Sequence, residues 1–242
     1  MDHTWSLIIV VFVFAAVQSL FGVGLLVFGT PTLLLLGCPF ETTIAALLPA
    51  SITISVMQLV AGRSYLKQAG SDILVYSVPG IIVGLAFVLS FHLVDIKLLI
   101  GIMLVGTAFM RFHETTRQVL AQWLTKHKKL FLVIMGLVHG LSNMGGGLLT
   151  VLVSATHHER EAIRANIAYG YLIFAATQLF VLALLNPGAM SLKCVICAGV
   201  ALLTYLTVGQ LLFHRSPKAV YQELISWCVL AYGMVLIFQQ FS

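Results

Sequence analysis

The chain is predicted to be an all-α polytopic membrane protein made of two inverted repeats, and three observations carry that prediction. Of its 242 residues, 60% are hydrophobic and 9% are charged, far from the roughly 25% charged residues of an ordinary soluble domain. The apolar residues fall into eight runs separated by short polar loops. A glycine motif occurs twice at a constant offset, as Ser19-Leu-Phe-Gly-Val-Gly-Leu-Leu26 and as Ser142-Asn-Met-Gly-Gly-Gly-Leu-Leu149. Paired glycine-interrupted hydrophobic segments in corresponding places of two halves are the best sequence pointer to a transporter's binding site.

The first run goes from Trp5 to Leu36. It is too long for one span of about 20 residues and too short for two spans and a turn, so it divides at Gly22 to Gly24. Runs follow at Glu41–Ala61, Ile73–Phe91 and Ile96–Phe109, and the most polar segment of the chain lies between Arg111 and Lys129. The second half repeats the plan. Leu130–Thr156 is over-long and glycine-broken, His157–Arg164 is a polar loop, and runs follow at Ala165–Leu185, Leu192–Phe213 and Val220–Phe241. Glu41 and Glu161 open matching segments in which Gln58 aligns with Gln178, after a three-residue shift relative to the glycine motif. The predicted organisation is a first membrane repeat at 1–112, a cytoplasmic linker at 113–129 and a second membrane repeat at 130–242.

The number of crossings is tested by where the Lys and Arg residues fall, since cytoplasmic loops carry the excess. Eight full spans, the alternative, distribute the 13 basic residues almost evenly. If each glycine-broken run is a re-entrant hairpin, only Lys97 and Lys193 lie outside and the remaining eleven of the 13 lie inside. The prediction is therefore one re-entrant hairpin plus three transmembrane helices per repeat, an odd number of crossings that inverts one half relative to the other. Both termini fall outside, and the hairpin tips meet near the midplane. Asp2 and the lack of early Lys or Arg argue against a cleaved leader, whose n-region is normally positive.

In that geometry the second arm of each hairpin starts at Gly24 or Gly147 with its N-terminus in the membrane. Free N–H groups and about half an elementary charge of helix dipole make such an end an anion site. No Lys or Arg lies deep in an apolar run, so a small anionic substrate would be held by backbone and neutral side chains. The candidate binding residues are Ser19, Gly22, Gly24, Gln58, Ser142, Asn143, Gly145, Gly146, Gly147 and Gln178. For Gln58, Gln178 and Asn143, interhelical hydrogen bonding, the usual role of such residues in membrane bundles, stays open beside substrate contact. Ser51, Asn166, Tyr169 and Tyr171 are further neutral donors. His139 is the one histidine deep in an apolar run. It is a candidate for proton coupling, with a neutral imidazole bonded to a backbone carbonyl as the alternative; by the glycine offset its mate is Ala16.

Other residues read as structural. Pro31 and Pro49 bend their helices, Gly80 and Gly84 permit close helix contact, and Glu41, Glu159 and Glu161 complement helix dipoles. Cys194-Val-Ile-Cys197 has a redox spacing but no flanking His or second Cys pair, so the four cysteines read as apolar packing. No zinc, phosphate-loop or nucleophile-elbow motif is present, so no enzyme, metal or cofactor is expected. The net charge of +5 is loop topology rather than nucleic-acid binding; the expected partners are the substrate and the lipid bilayer, with a homodimer left open.

The two glycine motifs, the Glu-to-Gln segments after them, the length and the eight runs together resemble the sulfite exporter TauE/SafE family over nearly the whole chain. That family is marked by a Gly-x-Gly-Gly-Gly-like element near the start of each half, often followed by a proline. Gly145 to Gly147 fit it, and Gly22-Val-Gly24 fits with Val23 in place of a glycine; Pro31 fits the first half, whereas Ser154 stands at the matching place in the second. The resemblance implies a secondary transporter exporting a small sulfur-containing anion, sulfite or an organosulfonate, across the bacterial cytoplasmic membrane. A permease or channel for another solute, or a membrane scaffold, is the competing reading from the residues alone.

Overall fold

The computed structural model describes residues 3–68, 71–91, 95–112, 114–157, 159–209, 211, 213 and 219–241. The described elements are helical. They are α1 (Thr4–Phe21), α2 (Leu25–Leu35), α3 (Phe40–Ala61), α4 (Asp72–Ser90) and α5 (Ile96–Phe112), followed by α6 (Glu114–Ser142), α7 (Gly145–Thr156), α8 (Arg160–Leu185), α9 (Leu192–Thr204) and α10 (Ala219–Phe241). A 3-10 turn at Arg63–Gln68 follows α3, and a π-helical turn at Tyr205–Gly209 extends α9. Five segments are long and apolar enough to cross a bilayer, namely α1, α3, α4, α8 and α9 with its π turn. The basic loop holding Arg215 and Lys218 lies outside the described residues.

Both over-long runs are broken at the glycine motifs. α1 stops at Phe21, where Gly22 takes a left-handed φ of 76° and Gly24 sits at φ 154°, a region essentially restricted to glycine. α6 stops at Ser142, with Asn143 at φ 62° as the left-handed residue. Asparagine tolerates that conformation better than other residues with a Cβ, which is why the second break needs no glycine at its first position. The three glycines instead form the first turn of α7, two residues earlier than the expected start at Gly147. The expected polar loop at His157–Arg164 is also shorter than its composition suggests. α8 begins at Arg160 behind Glu159, so Arg164 is helical and points a fixed side chain at the bundle.

The segment at 113–129 is largely helical from Glu114 and joins the second half through non-helical φ/ψ at His127. Trp123 packs there against His127 and meets the Phe131 ring edge-on.

Helix contacts repeat when the two halves are exchanged. α4 packs on α6 as α9 packs on α1, α3 on α9 as α8 on α4, and α2 on α3 as α7 on α8; α3 meets α8 and α5 meets α10. Lipid offers no hydrophobic drive between helices, so such contacts depend on small residues that let backbones approach. Gly80 and Gly84 of α4 lie directly against the backbone of α6 at Gly136 and Gly140, the close contact their spacing predicts. Large apolar side chains such as Trp5, Phe12, Phe180, Leu192 and Leu203 stay on the outside, a surface suited to acyl chains rather than water. Cys38, Cys194 and Cys197 are free and buried.

Candidate functional site

α2 and α7 both begin inside the protein. Leu25 to Val27 and Gly145 to Gly147 are buried, and neither helix has a side chain hydrogen-bonded across its N-terminus. The first N–H groups of a helix have no intrahelical acceptor, so two buried starts without a capping side chain are unusual and electropositive.

The opposite ends, where α1 and α6 stop, are closed by the paired glutamines. Gln58 donates from Nε2 to the carbonyls of Gln18 at 2.8 Å and Ser19 at 3.1 Å. Gln178 donates from Nε2 to the carbonyl of His139 at 3.1 Å. These are the interhelical bonds that buried amides need, and each gives a second donor to a carbonyl that already accepts one hydrogen bond, from Gly22, Arg164 or Asn143. Ser19 and Ser142 donate back to their own helices, to Ala15 and Val138, each at 2.7 Å. The Ser142 Oγ also accepts from the Met144 N–H at 3.3 Å. Asn143 Nδ2 donates to Thr30 Oγ1 at 2.8 Å, which joins the second break to the middle of α2 rather than to Gly22 and Gly24.

The breaks fix a pairing that differs from the glycine offset. Gly22 N–H donates to the Gln18 carbonyl and Asn143 N–H to the His139 carbonyl, both at 2.8 Å. The mate of His139 is therefore Gln18, not Ala16, because the left-handed residue of the second break is Asn143 and precedes its glycines. Gln18 was not among the sequence candidates, although a glutamine in the last turn of an 18-residue apolar helix is itself a signal. Thr30, and Thr107 of α5, whose side chain lies against Gly147, were also missed. As single threonines on apolar helices they carry no pattern in the sequence.

The two mates differ in surroundings. Gln18, fully buried, exchanges hydrogen bonds with Ser51, Nε2 to Oγ at 3.1 Å and Oγ to Oε1 at 3.3 Å, and reaches Ser55 at 3.4 Å. His139, also fully buried, lies against the Phe174 ring with centroids 4.5 Å apart. The Gln178 amide lies beside it, yet neither imidazole nitrogen completes a hydrogen bond, so the expected imidazole-to-carbonyl bond is not made. Tyr171 is buried with its hydroxyl unpartnered, and that hydroxyl sits where a Cβ on Gly146 would be. Asn143 Oδ1 and Gln178 Oε1 are unpartnered too, as is Gln58 Oε1 in the first half. Of the other neutral donors, Asn166 bonds its own helix at Ala162 and Tyr169 is only partly buried.

A fixed cation does reach the first break. Arg164 donates from Nη1 to the Ser19 carbonyl at 3.4 Å and stacks on Phe213, 3.4 Å from its ring centroid. Its backbone carbonyl lies beside Gly22. A guanidinium there complements the negative end of α1.

Among the described residues no cluster of His, Cys, Asp and Glu could hold a metal. No curated relative and no solved structure matches the chain significantly. The profile described as sulfite exporter TauE/SafE matches residues 7–236, nearly the whole chain and both broken helices. The protein, a multi-pass helical membrane protein, belongs to the sulfite exporter TauE/SafE family, a transporter family whose membership implies membrane transport of sulfur-containing anions such as sulfite.

Proposed function

We propose that this chain is a secondary transporter that exports a small sulfur-containing oxyanion, sulfite or an organosulfonate, across a bacterial cytoplasmic membrane. The observation that carries the mechanism is the pair of buried, uncapped helix starts at Leu25 and Gly145, each following a broken helix. Amide dipoles aimed at one place attract an anion without neutralising it by a salt bridge, which keeps binding weak enough for release. Irregular backbone at membrane depth is tolerated where protein or a water-filled path covers it, and both breaks are buried.

In this reading α1–α2 and α6–α7 are re-entrant hairpins of two inverted repeats. The contacts that repeat on exchange of halves support it, as does the placing of eleven of the 13 basic residues on one side. Gly22, Gly24 and Gly145 to Gly147 form the anion-facing backbone. Ser19, Ser142, Gln58 and Gln178 hold the broken ends in shape around it, Asn143 ties the second break to α2, and His139 is the group that would exchange a proton during transport.

The test is flux of radiolabelled sulfite in proteoliposomes, with sulfate and methanesulfonate as competitors. Gly146→Ala, which places a methyl group on the Tyr171 hydroxyl, is expected to abolish flux. Normal flux in that variant would remove the second glycine tract from the mechanism. Unchanged flux and unchanged proton dependence after His139→Ala would end the coupling role.

A further inference from the structure

The two breaks are equivalent in backbone and unequal in chemistry. In the first, Gln18 is bonded to Ser51 and Ser55, and Arg164 covers the end of α1. In the second, the residue in the place of Gln18 is His139, and Tyr171 stands in the place of Ser51, seven residues before the matched glutamine in each half. There the polar atoms are left open: both imidazole nitrogens, the Tyr171 hydroxyl and Asn143 Oδ1. An unpartnered buried polar group is destabilising, so several around one helix start, with the Gln178 amide beside His139, make a place for a polar ligand.

Resting on the transport reading, we propose that the second break supplies the side-chain contacts to the anion, and that it is built for an oxyanion carrying one hydrogen. Tyr171 supplies a hydroxyl donor at Gly146, in the first turn of α7, where the helix presents its own N–H groups. Neutral His139 supplies one donor and one acceptor. Asn143 is oriented by its bond to Thr30, which commits its amide nitrogen and turns Oδ1 free as an acceptor. A fully deprotonated anion would use the donors and leave the acceptors empty. A hydrogen-bearing oxyanion such as hydrogensulfite uses both. At the first break Gln18 is already bonded to Ser51 and Ser55, with Gln58 Oε1 an open acceptor, so that break contributes backbone rather than side-chain donors.

The experiment is calorimetric titration of the purified full-length protein at neutral pH with sulfite and with methanesulfonate, which presents the same three oxygens but no exchangeable hydrogen. Tyr171→Phe deletes only an unbonded hydroxyl, so its thermal unfolding midpoint is expected to equal or exceed that of the wild type. Its affinity for sulfite is expected to fall at least tenfold. Ser51→Ala, at the matching place of the first half, is expected to lower the unfolding midpoint and to change affinity less than twofold. Methanesulfonate is expected to bind at least tenfold more weakly than sulfite. Equal sulfite affinity in Tyr171→Phe, or an equal loss in Ser51→Ala, overturns the one-sided site, and equal binding of the two probes overturns its preference for a hydrogen-bearing ligand. A wild-type protein that transports a sulfur-free solute but binds neither probe overturns the sulfur-anion reading itself.

Discussion

At the scale of single residues, the breaks depend on conformations that most side chains resist. Gly24 at φ 154° has Val17 beside the position of a Cβ, so Gly24→Ala is expected to lower stability by about 1–3 kcal/mol, read as a drop in the thermal unfolding midpoint in detergent. Gly146 obeys a different constraint, since its backbone is ordinary and the obstacle is the Tyr171 hydroxyl. Because the ring carbons Cζ and Cε2 of Tyr171 crowd that Cβ position as well as its hydroxyl, adding Tyr171→Ala to Gly146→Ala is expected to restore much of the lost stability, while sulfite binding stays weak. Restoration of both would mean that Tyr171 only fills space.

At the scale of elements, the glutamines of α3 and α8 tie down the ends of the helices that stop inside the protein. Gln58 serves two carbonyls and Gln178 one. Replacement by Leu keeps the bulk and removes the donor, at a cost of about 0.5–1.5 kcal/mol for each hydrogen bond lost. Gln58→Leu is thus expected to lower the unfolding midpoint more than Gln178→Leu, a ranking that a melt of the two variants checks directly. Arg164 belongs to the same logic, a helical guanidinium used to finish the end of α1 while resting on Phe213.

At the scale of the whole molecule, several helix contacts recur when the halves are exchanged, whereas the α5–α6 contact has no comparable counterpart. The α3–α8 and α5–α10 pairs lie where the halves meet. The proposed inverted arrangement makes a topological prediction. Single cysteines at Lys97 and Lys193 are expected to react with an impermeant maleimide added outside intact cells, and cysteines at Arg63 and Lys129 only after the membrane is opened. Lys97 and Arg63 labelled from the same side would rule out the hairpin topology.

Composition and run length were enough to point to a helical, membrane-embedded chain interrupted near its two glycine motifs, because apolar span length and glycine's freedom are local properties. They also pointed to Gln58 and Gln178 as a pair, since a buried amide must find a partner wherever it sits. The tertiary structure decided which partner each amide took and that Arg164 reaches the first break. It also matched His139 with Gln18, through a left-handed Asn143 that sequence alignment of the glycines could not register. Hydrogen-bond partners more than thirty residues apart are set by how helices cross, and a one-dimensional pattern carries the need for such a bond but not its address.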